Sequence, residues 1–224
     1  MKIIKKVLIA ILILILVLII ISVIAICTLK SKTNNILDDY SSIYTNEKFN
    51  KKYLIDNIDV FEQDVSCGYA VIELFSKWNN DQITEKSLYD MYGKVVTSTG
   101  KSFEEEMNKQ FPKYKTTMYK YLKSSELIDK IYESLSKGIP VPFEWAAKYN
   151  DEWTLHYSLI IGIDIPNDLI TIANPYGYIE EINIKEFINR TSFESYKNMP
   201  IYLKLGFAFG IFEKNTIFIV ENKD

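Results

Sequence analysis

Four side chains in this sequence have the types and order needed for thiol chemistry: Gln63, Cys67, His156 and Asn174. A thiol nucleophile needs a base, an oxyanion stabiliser and a group that orients the base. Cys67 stands at the start of a predicted helix, where free backbone N–H groups and the helix dipole favour thiolate over thiol. His156, in Trp153-Thr154-Leu155-His156-Tyr157-Ser158, is the base expected to take the thiol proton and return it to a leaving amine. Asn174 follows the next strand, where its amide oxygen is placed to accept from the imidazole. Gln63 lies four residues before the cysteine, and its amide together with the Cys67 N–H is a candidate oxyanion hole. A lone cysteine is more often a small buried hydrophobe, and a lone histidine is usually structural. Here the only histidine, the only cysteine outside the first 30 residues, an upstream Gln and a downstream Asn-Pro coincide, which favours a catalytic assembly.

The elements expected to carry these residues follow from periodicity. From Cys67 to Trp78 apolar residues recur at helical spacing, with Ser66 as N-cap. Thr84 starts a second helix to Met91, Ser102 a third with Glu104-Glu105-Glu106 in its first turn, and Ser124 a fourth closed by Gly138. After Gly138 the pattern changes to strands at 139–147, 154–164, 169–173 and 178–184, with a turn at Pro166-Asn167-Asp168. A short helix follows at 184–189, and 203–212 with 216–220 read as a closing hairpin. Helices first and an antiparallel sheet after is an α+β pattern. In an antiparallel pair turning at Pro166, His156 and Asn174 become neighbours.

Residues 63–70, Gln-Asp-Val-Ser-Cys-Gly-Tyr-Ala, resemble the nucleophile motif of family thirty-nine of the cysteine peptidases. These are bacterial enzymes best known as domains that cut leader peptides after a double glycine. Lys137 to Pro142, His156 to Ile163 and Asn174-Pro175 resemble that family too, although it more often has Asp before the proline. The likeness runs over about residues 58–190 and keeps the order Gln, Cys, His, Asp/Asn. It implies a papain-like α+β fold with its cleft between a helical half and a sheet half. It also implies catalytic roles for Cys67, His156, Asn174 and Gln63, and a peptide or protein substrate. An amide is an acceptable orienter in the Cys-His-Asn version of the triad. Family members of that kind sit on transporters; no ATPase segment is present here, so a double-glycine substrate is not carried over. Acyl transfer, deamidation at the same thiol, and peptide binding without turnover remain alternatives.

The chain has 224 residues and a net charge of −3. Val7 to Leu29 is an uncharged run of Ile, Leu and Val, about 23 residues, long enough to cross a hydrocarbon core of ~30 Å. It exceeds the apolar region of a signal peptide, and Ile26 before Cys27 does not suit a lipoprotein signal. Residues 1–30 are therefore expected to be an uncleaved transmembrane anchor, 31–57 a polar stalk, and 58–224 the catalytic domain. Lys2, Lys5 and Lys6 against Lys30 and Lys32 favour an inside N-terminus and an extracytoplasmic domain. One cysteine outside the anchor excludes an internal disulfide there, and too few Cys and His remain for zinc. No cofactor or metal is expected. No basic tract suggests nucleic acid. Thr99-Gly100-Lys101-Ser102 lacks the first glycine and the strand of a phosphate loop, so no nucleotide is expected. Abundant Lys, Asn and Ile resemble the coding bias of an AT-rich bacterial genome.

Overall fold

The computed structural model describes residues 2–33 and 36–223. Helix α1, Lys2–Thr33, contains an apolar span, Ile4–Ile24, whose mean hydropathy is 3.8 and whose side chains are unburied. By length and composition it can cross a membrane. The chain then enters the folded body. Ile36, Ile43, Phe49 and Ile55 are all buried, so the stretch read as a polar stalk contributes apolar side chains to the packed interior. Residues 34 and 35 of that stretch lie outside the described residues. Strand β1, Tyr53–Leu54, ends the approach.

The helical part holds α2 (Cys67–Trp78), α3 (Glu85–Tyr92) and α4 (Gly100–Gln110), followed by β2 (Tyr114–Tyr119) and α5 (Ser124–Ser136). Their caps explain their starts. Ser66 accepts from the Tyr69 N–H at the head of α2, and Thr84 and Thr99 each form reciprocal caps with Ser87 and Ser102. Thr99, not Ser102, is thus the cap of α4, which begins three residues earlier than a Ser102 cap implies. Gly138, in a left-handed conformation, ends the turn after α5.

The sheet part is β3 (Val141–Tyr149), β4 (Glu152–Asp164), β5 (Leu169–Asn174) and β6 (Tyr178–Ile182), then α6 (Ile184–Thr191), α7 (Ile201–Ala208) and β7 (Thr216–Asn222). The strand order is β2-β7-β3-β4-β5-β6, with β1 added at the far end of β4, and every pairing is antiparallel. The fold is α+β. Along β4, Tyr157, Leu159 and Ile161 join the core with Tyr69, Ile72 and Phe75 of α2, while Trp145 and Phe143 of β3 pair in register with His156 and Ser158.

Two expectations are corrected. The region 203–212 is not the first strand of a hairpin. Its first part, through Ala208, belongs to helix α7, a turn at Gly210 with positive φ follows, and Gly206 lies so close to Phe212 that a Cβ would sit 2.4 Å from its ring. Strand β7 pairs instead with β2 and β3. β2 itself, Tyr-Lys-Thr-Thr-Met-Tyr, went unread as a strand although its residues are good strand formers.

Candidate active site

Cys67 is the first residue of α2 and is half-buried. The loop in front of it is held by one carboxylate. Glu85, at the head of α3, accepts from the backbone N–H groups of Asp64 (2.8 Å), Val65 (3.2 Å) and Ser66 (2.9 Å). Glu85's own N–H donates to Glu73 on α2 at 2.8 Å. Behind the cysteine, Gly68 leaves room for Thr97; a Cβ there would lie 2.3 Å from the threonine hydroxyl. The residue after Cys67 must therefore be glycine or Thr97 must move.

The Cys67 sulfur faces the backbone N–H of Tyr157, the residue after His156. Burial is the main influence on the thiol and pushes it up to about 11, against the lowering expected from the helix start; the Tyr157, Gly68 and Cys67 N–H groups pull the other way. Burial also drives the His156 imidazole down to about 3, with Asn174 opposing. Taken singly, both groups rest in their neutral forms. A thiolate–imidazolium pair would need its mutual attraction to exceed both desolvation costs.

His156 is 1% exposed, and its Nε2 lies 3.1 Å from Asn174 Oδ1. The two are diagonal neighbours: Leu159 pairs with Ala173, so His156 lies beyond the last paired residue of β5. The Asn174 amide has a fixed sense. Its Nδ2 donates to Glu180 Oε2 at 2.9 Å, and its Oδ1 also accepts from the Tyr176 N–H at 3.1 Å. Glu180 is held in turn by Arg190 at 2.6 Å, whose guanidinium also bonds Glu186 at 2.6 Å and stacks over Trp145 and Trp153. With Oδ1 turned to the ring, Nε2 carries the hydrogen and Nδ1 is the free basic nitrogen.

The turn Asn174-Pro175-Tyr176-Gly177 covers the ring. The Tyr176 ring stacks on His156 with centroids 4.1 Å apart and planes at 16°. Its hydroxyl bonds Thr154 at 2.8 Å. Gly177, at φ +90°, lies against Glu62; a Cβ there would sit 3.2 Å from the Glu62 Cβ. Gln63 reaches the same turn through its backbone: its N–H donates to Pro175 O at 2.7 Å. The Gln63 Oε1 is buried without a protein partner. A groove of about 300 Å³, lined by Gln63, Glu62, Tyr149, Glu152, Thr154 and Tyr176, opens beside it.

The structure thus brings His156 and Asn174 into direct contact, ties Gln63 to the Asn174 turn, and sets Cys67 against the strand that carries His156. Glu85, Glu180 and Tyr176 were not singled out from sequence. Two are carboxylates of the kind that surfaces carry everywhere, and only the fold turns them inward. No group of three or more His, Cys, Asp or Glu suited to a metal occurs among the described residues.

A family model described as "Peptidase_C39 like family" matches residues 44–203. Among solved structures, this chain is similar to the crystal structure of a double glycine motif protease from an AMS/PCAT transporter in complex with the leader peptide. Identity is 12%, the TM-score is 0.48, and the match covers 77% of this chain and 99% of that one. No curated protein sequence matches the chain.

Proposed function

Because the chain belongs to the Peptidase_C39 like family, we propose that it is a membrane-anchored cysteine peptidase in which Cys67 attacks the peptide carbonyl and His156 moves the proton. The observation that supports this most is the His156–Asn174 hydrogen bond, with the amide locked by Glu180, because it commits Nδ1 to the role of base.

In this reading the Nδ1 lone pair takes the Cys67 proton as the sulfur bonds to the carbonyl carbon. The carbonyl π electrons move to oxygen, where the Cys67 N–H and the Gln63 amide donate to the oxyanion. As the C–N bond breaks, the imidazolium returns its proton to the leaving amine. Water, deprotonated by the same nitrogen, then hydrolyses the thioester and frees the acid and the thiol. Neutral resting forms suit this sequence, since the ion pair need exist only while substrate excludes water from the cleft. Helix α1 holds the domain at a membrane, with the domain placed extracytoplasmically by the lysine distribution.

The test is a peptide library offered to the full chain in detergent, with covalent adducts on Cys67 and cleaved products read by mass spectrometry. Thioester adducts and hydrolysed peptides are expected, with Cys67→Ala and His156→Ala each reducing turnover by about a thousandfold or more. Products with an added amine in place of water would indicate acyl transfer. Turnover that survives Cys67→Ala would overturn the assignment.

A further inference from the structure

Apart from Lys204, helix α7 is apolar around its circumference, a pattern that belongs to a helix buried in protein or in lipid. Only one side is covered: Leu203 packs with Phe193 and Tyr196, and Gly206 is buried. The other side is bare. Ile201 is 70% exposed, Tyr202 67% and Phe209 56%, with Leu205 and Ile211 about half exposed. Ile201, Leu205 and Phe209 are spaced by four and form one stripe. A patch of this kind marks an interaction surface.

What covers it is indicated by its neighbour, since α7 packs against α1, the membrane-crossing candidate. The tether between them is short. The uncharged run ends at Leu29, and by Ile36 the chain is fastened: its carbonyl accepts from Ser124 N–H (2.9 Å) and Oγ (3.0 Å). The intervening six residues, 30–35, span at most about 20 Å even if extended. The body must sit close to the plane from which α1 emerges. Tyr202 is a residue type enriched at that depth, and the exposed Lys204 has the reach to keep its ammonium in the headgroups.

We propose that the bare face of α7 beds into the headgroup–acyl boundary of the bilayer that α1 crosses, a placement that rests on reading α1 as a membrane span. The domain then has two points of attachment, an anchor and an in-plane foot, and its orientation to the surface is fixed.

The test uses the full chain in phosphatidylcholine–phosphatidylglycerol vesicles, in a Cys27→Ser, Cys67→Ser background. Spin labels are attached one at a time through Ile201→Cys, Leu205→Cys, Phe209→Cys, Lys86→Cys and Ile15→Cys. All five replaced side chains are exposed, so folding is not at stake. At 201, 205 and 209 the ratio of oxygen to nickel-chelate collisions is expected to exceed that at 86 by about fivefold, the pattern of a lipid-bedded face. Water-like ratios there with a lipid-like ratio at 15 would overturn the foot and leave the anchor standing. A water-like ratio at 15 as well would overturn both. Low collision with both reagents at 201, 205 and 209 would mean protein covers the face, a second copy for instance, and would also overturn the proposal.

Discussion

At the scale of single residues, the choice of Asn rather than Asp at 174 has a local reason. A carboxylate there would face the Glu180 carboxylate that now accepts from the amide at 2.9 Å. An amide turns that neighbour from a repulsion into a lock: its NH₂ points to Glu180, so its oxygen must point to His156. In the proposed mechanism Glu180 is therefore a positioning residue that acts through Asn174. Glu180→Ala leaves only the Tyr176 N–H to hold the amide's sense, and kcat for peptide hydrolysis is expected to fall about tenfold with KM little changed. The double variant Glu180→Ala, Asn174→Asp should recover most of that loss, because a carboxylate accepts from Nε2 in either sense. A purely structural role for Glu180 predicts no recovery.

At the scale of elements, the segment before Cys67 has no strand or helix of its own to hold it. Three consecutive N–H groups converge on Glu85 instead, so α3 sets the position of Cys67 from outside α2. Glu85 is itself 4% exposed, and Glu85→Ala leaves those part-buried donors without their acceptor, so a loss of about 2–4 kcal/mol in urea unfolding is expected. Glu85→Gln, which keeps an acceptor oxygen, should lose less. The capped helices and the strands β3 to β5 were legible in the sequence because cap residues and period-two patterns act locally: Ser66, Thr84 and Ser124 mark starts that the fold keeps within a residue. α7 was not legible, since Leu203 to Phe212 mixes aromatic and aliphatic residues without helical polarity, and Gly206 is needed only because Phe212 folds back on it. The His156–Asn174 contact was legible through the turn at Pro166, but Glu85 and Glu180 were not, because a carboxylate's partners are long-range facts.

At the scale of the whole molecule, the sheet carries a buried charge problem. Glu144 on β3 is fully buried and neither carboxylate oxygen has a protein partner. Burial, with Glu213 adding repulsion, pushes its carboxyl up to about 8 from an ordinary value of 4.5. A carboxyl whose folded value is raised favours the fold fully below the unfolded value and loses that contribution as pH climbs through the folded one. Stability from this group is therefore intact near pH 4.5, falls between pH 4.5 and 8, and stays low above. Glu144→Gln, a neutral mimic, should leave the melting temperature at pH 4.5 nearly unchanged and raise it at pH 8.5. The gain corresponds to a few kcal/mol, and equal melting shifts at both pH values would refute the buried-acid assignment.

The bond from the Gln63 N–H to the Pro175 carbonyl stitches the two halves of the cleft together at the point where catalysis would divide them. It ties the segment leading to Cys67 to the turn that shields the imidazole. Separating them would break that bond and the Glu62–Tyr176 bridge beside it, moving Gln63 and the Tyr176 ring together. In the proposed function, a bound polypeptide that loosens this seam shifts Gln63 and the shield over the imidazole together, so the parts of the site answer to cargo as one leaf of a hinge.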